Sequence, residues 1–295
     1  MEGDWALRTA PVPPVEVVAP ARQTLPLVCA SPHSGAHYPA EFLVAARLDA
    51  LTLRRSEDAY VDELFGAAPG LGAPLLRANY ARAFLDPNRE PYELDPAMFA
   101  DALPAFVNRH SPRVRMGLGT IARVVASGEE IYGRKLLAQE ALTRIETLYR
   151  PYHRALKQLV TETKERFGYY LLVDCHSMPS ACFGERGPRG SRADIVLGDC
   201  HGTSCGAAVT DAAHRALAAK GYRVARNMPY AGGFTTAHYG RPEARAHCLQ
   251  IELSRALYMD ERSFERKPYF ARLADDMSDV ILTLAGIAPS LAAAA

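Results

Sequence analysis

The stretch LLVDCHSMPS, residues 171–180, decides the fold. With Tyr169 and Tyr170 ahead of it, its start is apolar at successive positions, so both faces of the element would be buried. That pattern belongs to a parallel strand covered by helices on either side. The run then meets Asp174, Cys175, His176 and Ser177, more chemistry than a simple turn requires. Working outward, TLPLVCAS (24–31), ADIVLGD (193–199), YRVARN (222–227) and HCLQIEL (247–253) read as further strands. PLLRANYARAFLD (74–86) reads as strand material interrupted in its middle. Helical spacing predicts helices over 58–68, with Ser56 as N-cap, and over 205–220 and 262–285. Another fills 135–167, kinked or divided at Pro151. Strands alternating with helices predict an α/β fold built on a mixed, mostly parallel sheet.

Composition narrows the function classes. The chain has 295 residues, 48% of them apolar and 23% charged, with a formal net charge of +1. No stripe of one sign suggests nucleic acid or an anionic membrane as partner. No apolar run approaches the ~20 residues of a membrane span. The N-terminus has early acids and no apolar signal core. Six scattered cysteines without CxxC spacing read as reduced thiols, so the expected location is cytoplasmic. Expected boundaries are an extended arm over 1–24, a single catalytic domain over 25–288 and a disordered tail over 289–295. Nothing bears on oligomeric state.

Three strands end in residues suited to catalysis: SPHSG after 24–30, DCHS after 169–173, and IELSR within 247–255. Ligand sites in open α/β sheets gather beyond the carboxyl ends of strands, so His33, His176 and Glu252 would converge if these strands run together. A buried glutamate in LQIEL costs several kcal/mol unless it is paired or near a cation. A divalent metal would satisfy all three residues, and Glu57, Asp58 and Asp62 are candidates for a further ligand. As plain structure, the same residues read as a capping histidine, a core histidine, a glutamate paired with Arg255, and acids at a helix start. Cys175–His176 is a poor nucleophile–base pair, because neighbouring strand residues face opposite ways. No GxSxG elbow is present, and HGTSCG (201–206) lacks the Walker spacing and lysine. Arg82, Arg89, Arg241 and Arg255, with Asn88 beside Arg89, are candidates for binding a substrate carboxylate.

SPHSGAHYP, DAYVDELF, ANYARAFLDPNREP, GLGTIAR, YHRAL, LLVDCHSMPS, ADIVLGDCHGTSC, NMPYAGGFTTAHYGRP and LQIELSRALYMDE follow in an order that resembles the N-formylglutamate amidohydrolases, from about residue 25 to 262. The resemblance implies a fold similar to the zinc-dependent exopeptidases. It implies hydrolysis of N-formyl-L-glutamate to formate and L-glutamate, a step of histidine degradation. By motif, His33, Asp58 and His176 would hold one divalent metal, zinc first and cobalt accepted in vitro. Glu252 would be the general base, and His238 would assist at the oxyanion. The alternatives are the same chemistry on another N-acyl amino acid or small peptide-like amide, and a non-catalytic metabolite-binding homologue.

Overall fold

The computed structural model describes residues 12–125, 127–183 and 193–293. The chain divides into two compact units. One comprises Met1–Glu16, Pro32–Ala59 and Arg77–Ala155; the other comprises Val17–Ser31, Tyr60–Leu76 and Leu156–Ala295.

The sheet has seven strands: β1 Val15–Val18, β2 Leu27–Ser31, β3 Leu75–Ala78, β4 Tyr170–Met178, β5 Ile195–Gly198, β6 Val224–Arg226 and β7 Ala246–Ser254; β2 and β4 to β7 lie wholly within the second unit. Their order is β1-β3-β2-β4-β7-β5-β6. β2 with β4, β4 with β7 and β5 with β6 run parallel, while β5 meets β7 antiparallel. β4 and β7 are the central pair, nine residues each and buried throughout. DCHSM therefore lies inside β4 and does not follow it, and β1 turns part of the expected arm into an edge strand. The closing helix is Phe270–Ala293, whose Leu273, Met277, Val280, Ile281 and Leu284 form one buried stripe. It runs through most of the expected disordered tail, and residues 294–295 lie outside the described part.

The first unit has short helices and long ordered loops. Ala138–Arg144 continues through a π-helical turn, Ile145–Tyr149, into the helix Arg150–Phe167. The wide turn falls just ahead of Pro151, where a missing N–H forces the ladder to adjust. From this helical rod, Tyr149 donates to the Arg89 carbonyl at 2.8 Å, and the His153 ring meets the Pro87 carbonyl at 2.8 Å. Both pin the LDPNR loop. The Asp86 N–H donates to the Thr120 carbonyl at 2.9 Å, and Gly119 runs so close to Glu93 that an added Cβ would lie 2.1 Å from its carbonyl oxygen.

Candidate active site

In the second unit, the β4–β7 register pairs Asp174 with Gln250 and His176 with Glu252. Residues in register on parallel strands point to the same face about 4.8 Å apart, so imidazole and carboxylate stand side by side. His176 Nε2 is 2.9 Å from Asp174 Oδ1. Gln250 Nε2 donates to Glu252 Oε1 at 2.8 Å. The Thr236 hydroxyl, from the helix Phe234–Tyr239, reaches Asp174 Oδ2 at 3.2 Å and Gln250 Oε1 at 3.3 Å. Cys175 belongs to the other face. Burial, helped by its neighbour Cys29, raises its thiol well above the ordinary value, which removes the thiolate a nucleophile needs.

In the first unit, His33 stands two residues beyond the end of β2. Its Nδ1 lies 3.2 Å from Asp58 Oδ2, and its Nε2 lies 2.7 Å from Asp86 Oδ1. The Asp58 N–H donates to the His33 carbonyl at 3.0 Å, which ties acid and imidazole through the backbone as well. Asp86 is a hub: it accepts from Arg82 Nη2 at 2.8 Å and from the Asn88 N–H at 2.8 Å, and Arg89 Nη2 is 3.3 Å away. Burial pushes its carboxyl up. The charges of Arg89, His33 and Arg82 outweigh that and hold it well below the usual range. Glu57 is tied instead to Tyr38 and to Arg54 Nε at 3.1 Å, which leaves Asp58 as the acid that meets His33. Asp58 precedes the helix Val61–Leu64, so it does not share a helical face with Asp62.

His33, Asp58 and His176 form a buried group in which each offers one ligand atom, all within 4.8 Å of one another. Such a group can bind a metal ion. Two imidazoles and a carboxylate are a donor set suited to zinc. The His33 ring has a second carboxylate hydrogen-bonded at Nε2, Asp86, whereas the 2.9 Å approach of Asp174 Oδ1 to His176 Nε2 is an ion-pair contact outside hydrogen-bond geometry. A carboxylate placed as Asp86 is fixes its ring's orientation and raises its basicity as a ligand, and it leaves Nδ1 as the nitrogen on the opposite side.

The arginines divide. Arg89 is buried and spends its guanidinium on the Leu118 and Asn88 carbonyls, at 2.8 Å each, and on Asp86. Burial brings its pKa down to about 10. Arg82 remains partly exposed, with Nη1 3.9 Å from Asp58. Arg255 follows β7 directly, with Nε 3.1 Å from the Ser177 hydroxyl. Asn88 is buried beside Asp86.

Arg241 bridges to Ala246 at the start of β7. His238 is exposed on the same segment and stacks on Phe234 at 4.9 Å. Burial, then the charges of Arg241 and Lys157, push its pKa down. It stands two residues past Thr236, on the helix whose hydroxyl reaches Asp174 and Gln250. Asp86 and Gln250 went unread in the sequence. The alternation in LQIEL, which puts Gln250 on the face of Glu252, was a signal for the second.

A buried two-histidine, one-carboxylate group on a mostly parallel sheet, with a glutamate in register beside one histidine, is the equipment of a metal-assisted hydrolase. The profile of the N-formylglutamate amidohydrolase family matches residues 25–259, and the chain belongs to that family. It is 30% identical over 255 residues to an N-formylglutamate deformylase of Pseudomonas aeruginosa, covering 84% of this chain and 87% of the relative. A Pseudomonas putida N-formylglutamate deformylase is 31% identical over 245 residues, covering 80% and 83%. The crystal structure of an N-formylglutamate amidohydrolase from Ralstonia eutropha JMP134 superposes with a TM-score of 0.85 at 39% identity, over 96% of this chain and all of that one.

Proposed function

We propose that this chain hydrolyses N-formyl-L-glutamate to formate and L-glutamate, with one divalent metal, zinc first, held by His33, Asp58 and His176. The observation that carries the reading is the register of His176 with Glu252, a ligand and a carboxylate base set shoulder to shoulder by two parallel strands. When bound, the metal supplies Lewis acidity towards the acyl oxygen and towards water. Glu252 takes the proton of the attacking water and passes it to the departing amine nitrogen. Gln250 holds Glu252 Oε1, so the base keeps one orientation through both transfers. Asp86 holds the His33 imidazole. Arg82 and Arg255 take the carboxylates of the glutamate half, each contact worth about 1.5–3 kcal/mol. We assign the reaction to the cytoplasm, in keeping with six cysteines that are all free thiols.

Formate release from N-formyl-L-glutamate, N-formyl-L-aspartate and N-acetyl-L-glutamate, compared by kcat/KM, tests the substrate. N-formylglutamate should lead by more than roughly tenfold. A lead for either other compound would reassign the acyl or the amino-acid pocket, and turnover of none would make the chain a binding homologue.

A further inference from the structure

The first unit contains a cavity of about 560 Å³ that the reaction above does not use. It opens between the segment around Tyr80 and Phe84, the start of the helix Ala40–Ala45, and the helical rod from Leu137 to Leu148. A volume of this order suits a small organic molecule. Its walls include Tyr80, Phe84, Leu137 and Leu148, and Arg144 lines it as well.

Arg144 is the feature that asks for a ligand. It is 8% exposed. Its guanidinium lies over the Phe84 ring at 4.0 Å, and Nη1 donates to the Phe84 carbonyl at 3.2 Å and to the Tyr132 hydroxyl at 2.7 Å. Both acceptors are neutral, since burial raises the Tyr132 phenol above its ordinary value. Nε and Nη2 donate to no atom among the described residues, and none of their carboxylates lies within ion-pair distance of this guanidinium. A buried cation whose only acceptors are neutral is costly. Two acids line the cavity; Glu140 feels the Arg144 charge, but neither acid makes a hydrogen bond or ion pair with Arg144. Glu140 is bound by both Arg134 Nη atoms, at 2.9 and 2.7 Å. Glu41 is an exposed rim residue.

We infer that this cavity is a second binding site, for a small organic carboxylate with an aromatic or aliphatic body. The carboxylate meets Nε and Nη2 of Arg144, and the body lies against Tyr80, Phe84 and Leu148. Arg144 is ready for that contact because Nη1 and the Phe84 ring already hold its plane.

The test is calorimetric titration of the full chain with 3-phenylpropanoate and its neutral isostere 3-phenylpropanamide. The acid should bind saturably with Kd below ~1 mM and the amide roughly tenfold or more weakly. Arg144→Met removes the cation, and Thr147→Trp fills the exposed mouth while keeping it; each should weaken the acid roughly tenfold or more. If Arg144→Met does not fold, Thr147→Trp decides alone. His176→Ala should leave acid binding unchanged, whatever its effect on turnover, so failure here and failure of the proposed reaction are separate results. Undetectable acid binding, equal binding of acid and amide, unchanged binding in Thr147→Trp, or loss of binding in His176→Ala would each overturn the inference.

Discussion

Asp86 shows most plainly how one residue serves both the fold and the site, because it joins His33 to two arginines in a place sealed from water. Asp86→Asn should weaken zinc binding about 10–100-fold, measured by competition with a chromogenic chelator. Undiminished affinity would mean that the His33 ring is oriented by something else. A pH dependence follows from the depressed carboxyl. A group ionised more readily in the folded chain adds stability that is complete above its unfolded pKa of ~3.9 and is lost as pH falls through the folded value. On chelated protein, the urea-midpoint advantage over Asp86→Asn should therefore be full near pH 6 and shrink steadily below about pH 4. A gap that stays constant would contradict the assigned shift. For the proposed base, Glu252→Gln should lower kcat by about 10²–10⁴ with zinc content intact. Loss of the metal would make Glu252 a ligand. His33, His176 and Glu252 were legible because polar residues stand where strands are otherwise apolar. Asp86 was not, since its partner His33 is 53 positions away and LDPN reads locally as a turn.

The strands were the readable elements, and irregular backbone was where pattern failed. YYLLVDC and TLPLVCAS are apolar on both faces, HCLQIEL alternates apolar residues with Gln250 and Glu252, and all three became adjacent parallel strands. The helix expected from Ser56 begins instead at Val61, because Tyr60 takes a left-handed φ of 65° just ahead of it. That turn frees Asp58 to face His33, a geometry helical spacing could not foretell. The antiparallel seating of β5 on β7 was equally hidden, since a four-residue buried strand carries no mark of direction. Gly119 gives a prediction at this scale. Its backbone passes Glu93 too closely for a side chain, and the next residue's carbonyl holds the Asp86 N–H. Gly119→Ala should cost about 1–3 kcal/mol in urea unfolding and weaken zinc binding with it. Destabilisation with unchanged zinc affinity would show that the loop does not govern Asp86.

At the scale of the whole molecule, a metal that binds the folded chain and not the unfolded one must raise its stability. At a free zinc concentration of 100 Kd the gain is about 2.7 kcal/mol. The melting temperature should therefore rise on adding zinc to chelated protein, and His33→Ala and His176→Ala should abolish the rise. A rise that survives both substitutions would place the ion elsewhere. The most direct test of the central claim is formate release from N-formyl-L-glutamate by one preparation before chelation, after exhaustive chelation, and after return of one equivalent of zinc. The account predicts turnover, then its loss, then its recovery. Full turnover in protein shown by elemental analysis to be free of metal would contradict it.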